Sequence, residues 1–220
     1  QNDVDQMLIN LDGTADKSKL GANAILSVSQ AVAELGASCA NLQTFQYISQ
    51  KYGLSTLNAN RLPTPIFNLI NGGQHGAGNL EFQEFHLIPS SRKLFSESLE
   101  MGSEIYHLLK KILVDKKAIH SVGDEGGFAP NLYSNTDAIE LLVETIESSP
   151  FKLNDDVYLG LDIAASSLFS NGKITISDNK DPFDDEQFAN FLVDLCHKYS
   201  LLSIEDPFAE DDWDGWANFH

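Results

Sequence analysis

Three carboxylates in this 220-residue chain stand at positions where a carboxylate does chemistry. Leu201-Leu202-Ser203-Ile204 runs straight into Glu205, and Pro207 stops the strand two positions later. Proline has no N–H for a ladder, so the spacing puts Glu205 at the C-terminal edge of a short strand, predicted to be buried on both faces. Val157-Tyr158-Leu159-Gly160-Leu161 repeats the design and delivers Asp162. Side by side in a parallel sheet, two such strands aim both acids at one divalent ion. Magnesium suits the pair, because it takes hard oxygen ligands and keeps places for water and substrate. A single acid at a strand end also caps turns, but two from matching strands tip the balance toward metal.

The third acid, Glu125, follows Asp124 between glycines in Val122-Gly123-Asp124-Glu125-Gly126-Gly127-Phe128-Ala129-Pro130. Glycine lets backbone approach a ligand closely, and Val122, Phe128 and Pro130 suggest a packed loop rather than a solvated turn. A partly dry carboxyl there holds its proton to higher pH, as a general acid needs. His75 sits in the glycine-rich segment 71–79, with Gln83 and Glu84 following on the next strand; a lone loop histidine is more often a surface group than a catalytic one. The remaining histidines lack His-x-x-x-His spacing, which argues against zinc. Phosphate-loop, dinucleotide and Gly-x-Ser-x-Gly fingerprints are also missing from the sequence.

The elements that must position these groups follow from periodicity. Helices are predicted over 1–11, 20–36 and 44–52, the last ending at Gly53, with a polar linker and domain boundary at 54–61. Strands 63–70 and 81–88, joined by one loop, form an antiparallel hairpin. Helix 94–113 carries Phe95, Leu99, Gly102, Tyr106, Leu109 and Leu113 on one stripe. A helix over 137–147 opens with an Asp137/Glu140 capping box, Asn171-Gly172 turns a small hairpin, and Asp184 caps a helix over 184–199 with Gln187. Trp213 and Trp216 read as the buried face of a last helix.

Composition bounds the function classes. Lys+Arg 14 against Asp+Glu 32 gives a net charge of −18, which argues against nucleic acid or an anionic membrane as partner. No run approaches the ~18 apolar residues that span a bilayer. Cys39 and Cys196 are far apart and make no disulfide framework, which fits a reducing cytoplasm. The chain opens at Gln1 in mid-element and stops at His220 without a cap, so both ends read as internal to something longer.

Taken together the motifs resemble the enolase family. The matching runs are Leu11-Asp12-Gly13-Thr14, residues 17–27 (KSKLGANAILS), Asn71-Gly72-Gly73-Gln74-His75, Gln83-Glu84-Phe85, residues 122–127 (VGDEGG), Gly160-Leu161-Asp162 and residues 203–213 (SIEDPFAEDDW). The resemblance implies an α/β fold. Residues 1–60 would be the helical tail of an α+β N-terminal domain, and 61–220 the first half of an enolase-type TIM barrel that begins with an antiparallel hairpin. From Pro65 onward the chain is shorter than the ~250 residues a full barrel takes.

The resemblance further implies reversible, magnesium-dependent dehydration of 2-phosphoglycerate to phosphoenolpyruvate, in a cytoplasmic protein that is a homodimer or larger. It assigns Asp162 and Glu205 to Mg2+, Glu125 as proton donor, and His75, Gln83 and Glu84 to the substrate pocket, with Glu84 and His75 also catalytic. It puts a third metal carboxylate, a lysine base and the phosphate grip beyond His220, so this chain alone is expected to be inactive. His86 stands where the family usually carries methionine, and Gly76 replaces a common alanine; both read as local variation away from the chemistry. Two rivals are another enzyme of the same superfamily and a non-catalytic scaffold that keeps the fold. The first lacks reason for the VGDEGG run, and the second for three retained acids.

Overall fold

The computed structural model describes residues 1–54, 62–73, 76, 79–170 and 172–219. It divides into two compact units, Gln1–Leu62 and Pro63–His220. From residue 55 on, the predicted linker lies outside the described residues.

The first unit is three helices, α1 (Asn2–Asp12), α2 (Ala22–Cys39) and α3 (Thr44–Lys51). Asp12 ends α1 almost fully buried, accepting from Leu20 N at 2.7 Å and Thr14 N at 3.0 Å. That one carboxylate ties the turn after α1 to the approach to α2. Helix α2 runs three residues past Gly36, where the sequence predicted its end. The glycine is there for contact rather than termination: a Cβ on Gly36 would lie 2.6 Å from the Tyr47 hydroxyl of α3. Gly53 keeps its expected capping role, with φ +62 beyond α3.

The second unit is built on a sheet of β1 (Phe67–Asn71), β2 (Glu84–Pro89), β3 (Val157–Asp162) and β6 (Ser203–Glu205), in the order β1-β2-β3-β6. The first pair is antiparallel as predicted, β2–β3 is also antiparallel, and β3–β6 is parallel. Pro63 and Pro65 cannot donate to a ladder, so β1 starts later than the apolar run suggested. It carries a bulge between Asn68 and Ile70, where Leu69 is the extra residue. Helix α4 (Phe95–Asp115) packs against β2 and α5 (Asn135–Glu147) against α4, and a small hairpin, β4 (Phe169–Ser170) with β5 (Lys173–Ile174), precedes α6 (Asp185–Tyr199), which packs on β5. Alternation sends Phe85 and Leu87 of β2 into the core with Ile105, Leu109, Leu113 and Phe188. This open sheet with flanking helices is a partial TIM barrel.

Four local expectations are corrected. The buried stripe of α4 runs through Ser98, Met101, Gly102, Ile105, Leu109 and Leu113, while Phe95 and Leu99 are exposed. Helix α5 begins two residues earlier than predicted, because Ser134 accepts from Asp137 N at 3.1 Å and so outcompetes the Asp137/Glu140 box. Glu140 instead takes Lys198 at 3.1 Å and the Tyr199 hydroxyl at 2.8 Å. Trp213 and Trp216 do lie on a helix, α7 (Trp213–Phe219), but Trp213 is 80% exposed and α7 has no buried residue. Finally, β6 is not buried on both faces: it is an edge of the sheet, with Ser203 and Glu205 exposed. The hairpin at 171–172 keeps Gly172 at φ +75, whereas Asn171 lies outside the described residues.

Candidate active site

Register brings the candidate residues into one row. Asn71 ends β1, Glu84 begins the antiparallel β2, Asp162 ends β3 and Glu205 ends β6. The pairings are Asn71 with Glu84, Glu84 with Asp162, and Asp162 with Glu205. Residues directly opposite one another share a face, so four polar side chains line up at one level. That level is the carboxyl edge of the parallel strands, where barrel proteins gather their chemistry.

Asp162 is the buried member of the row, at 9% exposure. Burial, and then the negative charge of Glu205, push its carboxyl up to about 6; Glu84 and Asp206 add to the push, against a hydrogen bond from Ala164 N at 3.0 Å. Its oxygens stand among anions, the environment a cation relieves. Among the described residues no group of three His, Cys, Asp or Glu side chains is arranged to cage a metal unaided. Asp162 and Glu205 are hard oxygen donors in direct register, and they fit a magnesium ion whose remaining places go to water and substrate.

Glu125 reaches the row through a residue the sequence did not single out. Asn71 Nδ2 donates to Glu125 Oε2 at 2.7 Å. The loop carrying Glu125 is docked on the edge of β1 by Asn71 N to Phe128 O at 2.8 Å and Phe128 N to Leu69 O at 2.9 Å. Tyr106 of α4 stacks on Phe128 with ring centroids 4.4 Å apart and donates its hydroxyl to Gly126 O at 3.0 Å. Gly127 allows the approach: a Cβ there would meet Asn71 Oδ1 at 2.6 Å and Asn68 Oδ1 at 2.9 Å. The loop is packed at Phe128 and Pro130, but Val122 is 55% exposed and Glu125 is itself exposed, contrary to the expectation of a partly dry carboxyl. The glycines around it that permit the turn also leave nothing to cover it.

Gln83 sits beside the row, its N donating to Asp162 O at 2.9 Å and its side chain standing against Gly73. His75 lies outside the described residues. His86, read from sequence as remote from the chemistry, is not: its Nε2 is 2.7 Å from Glu84 Oε2. The signal was available, since residues two apart on a strand share a face. Asn71 was hidden because Asn-Gly-Gly reads as a turn, although it closes an apolar run much as Asp162 does.

A partial α/β barrel with a polar row at the carboxyl edge of its parallel strands defines the class. Residues 59–220 match the family model described as Enolase, C-terminal TIM barrel domain, and residues 1–48 match Enolase, N-terminal domain. The first match alone covers well over half of the chain, which belongs to the enolase family. No helix among the described residues is long and apolar enough to cross a membrane.

Proposed function

We propose that the protein carrying this chain is a phosphopyruvate hydratase, a lyase of glycolysis that interconverts 2-phosphoglycerate and phosphoenolpyruvate with magnesium in the cytoplasm. The observation that supports this reading most is the in-register row of Asn71, Glu84, Asp162 and Glu205, with Glu125 joined to it by Asn71. Oligomers of the protein, a homodimer or larger, belong to the same proposal.

Removing the proton beside a carboxylate doubles the charge on that group, so the reaction needs positive charge nearby and an acid for the departing hydroxyl. A magnesium ion held by Asp162 and Glu205 would supply that positive charge. Glu125 gives its proton to the hydroxyl leaving the neighbouring carbon. Asn71 orients the Glu125 carboxyl by donating to its Oε2 at 2.7 Å. The same reading assigns Glu84, Gln83 and His75 to binding the substrate's polar groups. The base that takes the carbon-bound proton is assigned to a lysine outside these 220 residues.

The reading is tested by following phosphoenolpyruvate formation in the full-length protein with magnesium, for the wild type and for Glu125→Gln. Loss of a general acid lowers turnover by about 10²–10⁴-fold. A Glu125→Gln protein that dehydrates 2-phosphoglycerate at the wild-type rate overturns the assignment.

A further inference from the structure

Residues 84 and 86 of β2 point to the same face of the sheet, opposite to the core residues Phe85 and Leu87. His86 therefore lies one layer below the row. Its ring is taken out of water, with a side chain 6% exposed, and a desolvated ring nitrogen requires a partner. Its cross-strand neighbours supply none. On one side His86 is in register with Gly160, which has no side chain. On the other it is in register with Asn68, whose Nδ2 and Oδ1 have no hydrogen-bond partner among the described residues. The acceptor is Glu84, through Oε2 at 2.7 Å.

Glu84 needs such a restraint. It stands directly across from Asp162, and like charges placed opposite one another on a sheet repel. An unrestrained glutamate turns away on its side-chain torsions. Oε2 is held by the imidazole, and among the described residues no hydrogen bond engages Oε1.

We propose that His86 is a positioning residue for Glu84, fixing one oxygen of that carboxylate so that the other meets the substrate. The role rests on the dehydratase reading of the row, but the contact does not. Methionine, the residue the family resemblance implies at this position, fills a similar volume without donating. Glutamine carries its Nε2 the same number of bonds from the backbone as histidine does.

The experiment uses the full-length protein, its His86→Met and His86→Gln variants, kinetics on 2-phosphoglycerate with magnesium, melting temperatures, and crystal structures of all three. The expected result is a kcat about tenfold or more lower in His86→Met, the scale of one lost hydrogen bond to a charged group. KM and melting temperature stay near the wild type, and most of kcat returns in His86→Gln. Wild-type kcat in His86→Met, or equal losses in both variants, overturns the proposal. So does a fall in kcat that merely tracks melting temperature. If the wild type itself does not turn over 2-phosphoglycerate, the functional reading fails and the crystal structures decide the positioning role. Glu84 must then keep one conformer in the wild type and His86→Gln and leave it in His86→Met. An unmoved Glu84 in His86→Met, or a wild type without the contact, defeats the inference.

Discussion

Replacing Asp162 by asparagine is expected to make the metal-free protein more stable while removing its response to magnesium. The carboxyl of Asp162 is raised from 3.8 to about 6 by burial and by Glu205. Between those values the folded chain binds more protons than the unfolded chain, so stability falls as pH rises through the window and stays low above it. About two pKa units at ~1.4 kcal/mol each correspond to nearly 3 kcal/mol, and about 2 kcal/mol is expected after allowing for the exposed neighbour Glu205. Asparagine cannot ionise, and its Oδ1 still accepts from Ala164 N. Both tryptophans, Trp213 and Trp216, lie in the Pro63–His220 unit, so their fluorescence during urea unfolding reports that unit alone. In EDTA, Asp162→Asn is expected to exceed the wild type by about 2 kcal/mol at pH 7.5 and to match it near pH 3.5. Magnesium then stabilises the wild type by mass action and leaves the variant nearly unmoved. A variant that is less stable than the wild type at pH 7.5 without metal would refute the reasoning. Equal gains from magnesium in both proteins would refute the assignment of the ligand.

Two further substitutions probe the scaffold and the acid. Asn135 is fully buried and accepts from Glu81 N and Phe82 N at 3.0 Å each; Asn135→Ala orphans both donors and is expected to cost about 3 kcal/mol or more, read as a lowered melting temperature. Asn71→Ala removes the N–H held 2.7 Å from Glu125, and under the proposed function kcat falls about tenfold, measured by phosphoenolpyruvate formation. An unchanged rate would separate Asn71 from the acid.

The parts of the site that were legible in sequence are those written within one segment. Each of Asp162 and Glu205 ends its own short apolar run, and for Glu205 a proline two positions later adds a stop, which is enough to place both at a strand end. The pairings that make them neighbours of Glu84 and Asn71 span tens of residues and leave no local trace. The same holds for helix starts: Ser134 and Asp137 are both good caps, and the choice falls to tertiary partners. Asp178 takes Asn135 N at 3.0 Å and Thr136 N at 2.8 Å, closing the first turn of α5 early. Exposure was the least legible property. Trp213 and Trp216 have helical spacing and hydrophobic bulk, but nothing in three residues of separation says whether a neighbour will cover them. Glu125 was expected to be partly dry because glycine-rich loops pack closely; close packing of Gly127 on two asparagines turned out to be compatible with an open carboxylate one position before Gly126.

The supernumerary residue in β1 has a consequence for parity. Asn68 and Asn71 are three apart, an odd separation that in a regular strand would throw their amides to opposite sides. Because Leu69 is not counted by the facing strand, both amides come out on the side of Gly127. Indels here therefore act as switches rather than as length changes. Excising Leu69 leaves the even count intact and Asn71 still opposite Glu84, whereas inserting one residue between Ile70 and Asn71 would turn the amide that holds Glu125 away from it.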